Sequence, residues 1–176
     1  MTLTITATPG SASANSFLTE TEQNAYMATR LNASVWTSTG VTCTETEKSA
    51  MIEAQRELNA LCYVGLRVAT TQVLAWPRWW APNPDDPTLG YYDSTVIPQR
   101  VKDAQAELAF QFLKAGTTDV ASLPTTIGII QKTIDDLSTT YSEYSQPTGL
   151  ARYPRVMNVL GPLLEGTGSN APVLRG

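Results

Sequence analysis

At 176 residues with 42% apolar content, the chain is sized for one globular domain that buries a real core. Its net charge of −4 lacks the basic footprint that nucleic-acid binding usually needs. Histidine is absent, which removes the Ser-His-Asp and Cys-His nucleophile arrangements, the histidine zinc sites and the commonest general base together.

The longest apolar runs, such as Leu123 to Ile130, are broken by proline and glycine and fall far below the ~20 residues that span a bilayer. No membrane partner is expected. Met1 to Ser16 has neither a positive region nor an unbroken apolar core, so the reading is synthesis in a cytoplasm without a secretory signal. Cys43 and Cys62 flank a predicted helix whose ends lie ~25 Å apart. A disulfide needs Cα atoms within ~7 Å, so both are expected to be free thiols in a reducing compartment.

In chain order, Met1 to Thr8 alternates Leu3 and Ile5 with threonines and reads as a strand or extended arm, ended by Pro9 and Gly10. Ser11 to Ser16 is a small, polar connector. Thr19 and Glu22 form a capping box that opens a helix running to about Leu31. Asn32 to Cys43 is a Ser- and Thr-rich loop in which Trp36 is the residue expected to plug into the core. Thr44 and Glu47 repeat the capping box ahead of a helix over Glu45 to Leu61, with Met51, Ala54, Leu58 and Leu61 on one face.

Gly65 follows, and Thr70 to Ala75 leads into Leu74-Ala-Trp-Pro-Arg78. Trp76, Pro77 and Arg78 read as a structural clamp: a large flat ring with a fixed backbone beside it. Arg78 has no evident partner; Glu107 or another carboxylate of this subunit or of a neighbour would serve. Trp79 and Trp80 then precede Pro82, Pro84 and Pro87, with Asp85 and Asp86 between them and Gly90, Tyr91 and Tyr92 after. That composition excludes helix and makes poor strand. It predicts a long, stiff loop carrying four aromatic rings, too much apolar surface to leave in water without a purpose.

Pro98 opens a helix over Gln99 to Lys114 that stops at Gly116. Val101, Ala104, Leu108 and Phe112 form its core stripe, with Lys102, Asp103, Glu107 and Lys114 facing elsewhere. Phe110 points away from the stripe, either as an interface contact or under a second layer. Ile127 to Tyr144 sets two periods against each other. Ile127, Ile130, Ile134, Leu137, Tyr141 and Tyr144 follow a helical seam, whereas Thr133, Ser138, Thr139 and Thr140 are weak helix formers and Asp135-Asp136 suits a hairpin tip. Periodicity tips the balance slightly to helix. Tyr153-Pro154 opens a short last helix, with Val156, Val159, Leu160, Leu163 and Leu164 apolar and Gly161-Pro162 interrupting it. The tail from Glu165 is expected to be flexible.

Asp85-Asp86 and Asp135-Asp136 are adjacent pairs without a His or Cys companion, so neither reads as a catalytic pair and neither supplies enough oxygens for calcium. No enzymatic activity, cofactor or metal is expected.

Ala14-Asn15-Ser16-Phe17, Leu74 to Arg78, Ile97 to Ala109, and Tyr153-Pro154 ahead of Leu160-Gly-Pro-Leu-Leu164 together resemble the head-to-tail connector (adaptor, or head-completion) proteins of tailed bacteriophages. The resemblance implies a virion neck protein assembled in the host cytoplasm. It would form a homo-oligomeric ring of twelve copies that binds the portal protein and the next tail or connector protein, while packaged DNA passes without specific binding. It also implies a hairpin over 127–145, against the helical period. The expected fold is mainly α, a small helical bundle in a single domain over 1–176. An extended N-terminal arm (1–18) and a helical core (19–115) precede the hairpin, a short C-terminal helix (153–164) and the tail (165–176). Trp79, Trp80, Tyr91, Tyr92 and Phe110 are the expected interface.

The competing class is a single-stranded-DNA-binding protein of primosomal type, in which Trp79, Trp80, Tyr91 and Tyr92 stack on bases. Stacking proteins pair aromatics with a basic groove. In sequence, Arg78 lies on one side of these rings and Asp85, Asp86 and Asp93 on the other, which counts against this class.

Overall fold

The computed structural model describes residues 2–86, 88, 90–116, 131–134, 137–140 and 149–166, with the strands between 131 and 140 described by backbone alone. Among these residues the chain is mainly helical, with four α-helices and two small two-stranded antiparallel ladders. In order these are α1 (Glu20–Thr29), α2 (Glu45–Asn59), β1 (Leu66–Arg67), β2 (Arg78–Trp79), α3 (Gln99–Ala115), β3 (Gln131–Ile134), β4 (Leu137–Thr140) and α4 (Pro154–Leu160). A 3-10 turn, Gly149–Arg152, precedes α4, and another, Gly161–Leu163, follows it.

Both capping boxes form. Thr19 and Thr44 accept from the backbone of Glu22 and Glu47, and each carboxylate reaches back to the backbone N–H of its threonine. α3 begins after Pro98 and ends at Gly116, whose φ of 71° is the left-handed conformation that closes a helix at low cost for glycine. The predicted stripe of Val101, Ala104, Leu108 and Phe112 is fully buried, but so is Glu107, which the period alone set on another face. Its burial is possible because Arg30 folds over from α1 with Nη2 and Nε each 2.7 Å from its carboxylate oxygens, while Gln111 donates at 2.8 Å. Burial opposes the charge on Glu107, yet the Arg30 and Gln111 contacts, with the charge of Arg155, together outweigh it and hold the carboxyl below its ordinary pKa.

The core centres on α3, which packs against α2 and α4. Gln105, itself fully buried, ties three segments together: its amide donates to Met51 O at 2.8 Å and to Ser16 Oγ at 2.9 Å, and its carbonyl accepts the Phe17 N–H at 2.7 Å. The N-terminal segment has no regular structure and is fixed locally, with Asn15 accepting from Thr6 N–H and donating to Thr4 O. Leu3 N–H reaches Glu45 at 2.7 Å. Trp36 is buried and donates to Asn24 at 2.8 Å. Cys43 and Cys62 are free thiols, Cys43 buried and Cys62 exposed. Burial and the carboxylates of Glu20 and Glu47 push the Cys43 thiol up to about 12, which leaves it unreactive at neutral pH.

β3 and β4 pair antiparallel, with Gln131 opposite Thr140 and Ile134 opposite Leu137. These eight residues therefore do not follow the helical period of Ile127 to Tyr144. Thr133, Thr139 and Thr140, stiff at Cβ, favour the extended chain. The rest of that stretch and the tail beyond Gly166 lie outside the described residues. Among the described residues no helix is long and apolar enough to cross a membrane.

Candidate functional site

The Leu74 to Arg78 stretch is a structural anchor from which the aromatic loop departs. Trp76 is fully buried, its ring meeting Tyr63 edge-on at 5.7 Å and Tyr92 at 6.1 Å, and the Trp76–Pro77 peptide is cis. Among the described residues Arg78 forms no ion pair with a carboxylate. Its guanidinium donates to four backbone carbonyls, those of Val64 at 2.8 Å, Tyr63 at 2.9 Å, Ala75 at 3.1 Å and Gly65 at 2.5 Å. Five donors in a fixed fork suit that task, which a lysine ammonium could not perform with the same geometry.

This clamp seats β2 against β1, with Leu66 opposite Trp79 and Arg67 opposite Arg78. The approach is close enough that a Cβ on Gly65 would lie 2.3 Å from the carbonyl oxygen of Trp79, and Gly65 has a φ of +79°. The supposed loop thus contains a short strand. Further on, Pro82 pairs with Tyr91, Asn83 N–H donates to Gly90 O at 3.1 Å and Tyr92 N–H to Ala81 O at 2.9 Å, closing the proline-rich segment on itself.

Three rings stand out from this frame: Trp80 is 62% exposed, Tyr91 55% and Trp79 45%. Trp80 has a φ of 56°, a left-handed backbone that a bulky side chain rarely adopts. Such strain persists only where the surroundings enforce it, and it concentrates at functional positions. Tyr92, by contrast, is half-buried against Trp76 and donates to Asp85 at 2.9 Å. Burial and that carboxylate push its phenol up to about 12. Phe110 is 1% exposed, covered by the Arg30 guanidinium 3.7 Å above its ring centroid, so the second layer is what accounts for it.

The acids flanking the rings are occupied. Asp85 is held by Arg100, whose Nε lies 2.8 Å away and whose Nη2 also contacts it. Asp86 caps its own turn through Thr88, and Asp93 accepts both the N–H and the hydroxyl of Thr95 at 2.7 Å. Arg67 on β1 lies opposite Arg78, one register position from the Leu66–Trp79 pair, exposed and without an ion pair among the described residues. Linear sequence showed three acids beside the rings; the fold pairs Asp85 with Arg100 and sets Asp86 and Asp93 in local caps.

A second surface escaped the sequence reading. The C-terminal half of α3 and the start of α4 border an open cleft of about 460 Å³, lined by Arg30, Glu107, Lys114, Arg152, Tyr153 and Arg155 among others. Its cations come from three separate segments, so no local run of charge could have revealed it. Among the described residues no group of three Cys, Asp or Glu side chains is placed to hold a metal ion.

Fold and site together define a small, mainly helical protein that holds exposed aromatic rings on a braced loop and gathers cations in a separate cleft. The model of one family, described as "Putative DnaT-like ssDNA binding protein", matches residues 1–176, and the chain belongs to that family. No curated protein and no solved structure matches it. The family match overturns the phage-connector assignment, and with it the portal, tail and ring partners and the notion of DNA passing unbound. The physical reason lies in what the resembling stretches do. Phe17, Leu74, Trp76, Ile97 and Leu160 are all buried, so those stretches report how the core packs, whereas function resides in the surface mounted on it.

Proposed function

We propose that the chain binds single-stranded DNA without catalysing a reaction, with Trp79, Trp80 and Tyr91 as the base-stacking platform. A small helical bundle is the rigid base, and the aromatic and proline-rich loop projects from it. The observation that carries this reading is the exposed set of three rings, with Asp85 beside it paired to Arg100, in a chain of the family described above. Every base offers a π-face, so stacking on rigid rings is sequence-tolerant and favours strands whose bases are already unpaired. Braced rings lose little conformational entropy on binding.

The test is fluorescence anisotropy of a labelled oligothymidylate, with the duplex of the same length as control. The wild type is expected to bind the single strand in preference. Trp79→Ala with Trp80→Ala should weaken binding by about 1–3 kcal/mol per stacked base lost, at an unchanged melting temperature. Equal affinity of the double variant and the wild type would exclude the aromatic platform. Absence of single-strand binding by the wild type would exclude the function.

A further inference from the structure

The cleft between α3 and α4 concentrates Arg30, Lys114, Arg152 and Arg155, four of the 12 cationic side chains of a protein whose net charge is −4. Glu107 is the one acid among its described lining residues, and it is saturated by Arg30, by Gln111 at 2.8 Å and by the Tyr26 hydroxyl at 3.3 Å. Arg30 is spent in the same way: beyond Glu107 it donates to Leu31 O at 3.0 Å and lies over Phe110. These two form the floor. Lys114 and Arg155 are exposed and make no hydrogen bond or ion pair among the described residues, and half-buried Tyr153 lines the same cleft.

We propose that this cleft is a second contact for the same ligand and takes the phosphodiester backbone of the single strand, with Lys114, Arg152 and Arg155 on phosphates and Tyr153 against a base. The inference rests on the single-strand reading and extends it. An open cleft whose cations come from three separate segments suits a linear polyanion better than a single small anion, which would need enclosure. Its position sets the footprint. Arg100, which anchors the aromatic loop through Asp85, also reaches Val159 O near the end of α4, whereas Lys114 lies beside the start of α4. The helices therefore run antiparallel, and the cleft is separated from the loop anchor by about 21 Å along α3. At the stacked spacing of about 3.4 Å, that separation corresponds to about six nucleotides.

The experiment measures affinity of the full chain for a labelled twelve-nucleotide oligothymidylate at salt concentrations from about 0.05 to 0.2 M, and compares Lys114→Gln with Arg155→Gln against the wild type. Both side chains are exposed, and melting temperature verifies that the fold is kept. Removing two phosphate contacts should reduce the slope of log Kobs against log salt by about 1.4 and weaken binding about tenfold at about 0.15 M salt. Quenching of tryptophan emission at saturation should keep its wild-type amplitude, because the rings still stack. A wild-type slope and affinity in this variant, with binding still sensitive to Trp79→Ala and Trp80→Ala, would overturn the cleft and leave the stacking platform standing. No binding by the wild type at the lowest salt would overturn both.

Discussion

Trp76 fills the centre of the clamp with 0% exposure, yet its indole N–H finds no hydrogen-bond partner among the described residues. Its contribution is therefore packing. Trp76→Ala is expected to cost about 3–5 kcal/mol and Trp76→Phe clearly less, as read by denaturant unfolding. Equal losses would mean that the N–H has a role. Glu47 makes the opposite case. Burial works against its charge, but the Ser38 hydroxyl and the backbone N–H groups of Thr44, Thr37 and Ser38 bring its carboxyl down to about 2. With a folded pKa below the unfolded value of about 4.5, its stabilisation is fully present above pH 4.5 and is lost as pH falls towards 2. Glu47→Gln should cost about 1–3 kcal/mol near neutral pH, and the gap in melting temperature from wild type should narrow below pH 4.5. A pH-independent gap would contradict the charged cap.

The two ladder residues of β2 matter more than their length suggests, because they fix where Trp79 and Trp80 emerge. Gly65→Ala tests this element. Its Cβ would collide with the Trp79 carbonyl at a position whose φ already disfavours a side chain, so the β1–β2 pairing should open at a cost of about 1–3 kcal/mol. Single-strand affinity should fall with it. Unchanged stability and affinity would show that the ladder does not set the platform. The three longer helices were legible because capping boxes, an apolar period and a terminal glycine all pointed the same way. β2 was not, since its pairing depends on Gly65 and on Arg78 gathering carbonyls 3 to 15 residues away, contacts that leave no local pattern. The strands between 131 and 140 are the converse: residue preference favoured them while the helical period over the same stretch pointed elsewhere.

Over the whole molecule, charge misled where it was read as a sum or along the chain. A net charge of −4 is a sum and does not say where the charge sits: Asp85 is paired with Arg100 and Glu107 with Arg30, whereas Asp86 and Asp93 keep their charge in local caps. Arg67 on β1 and Lys114 with Arg155 in the cleft, exposed cations without an ion pair among the described residues, are far apart in sequence and acquire meaning only from the fold. The exposed rings themselves were legible from their proline-rich setting; what they face was not. Their exposure also supplies a direct readout, since Trp79 and Trp80 are open to solvent while Trp36 and Trp76 are buried. The most direct test is to titrate intrinsic tryptophan emission with oligothymidylate and to measure its quenching by iodide with and without the strand. Stacking predicts emission that falls on binding and an exposed population that becomes shielded from iodide. Emission and iodide access unchanged at saturating strand would contradict single-strand binding through the aromatic platform.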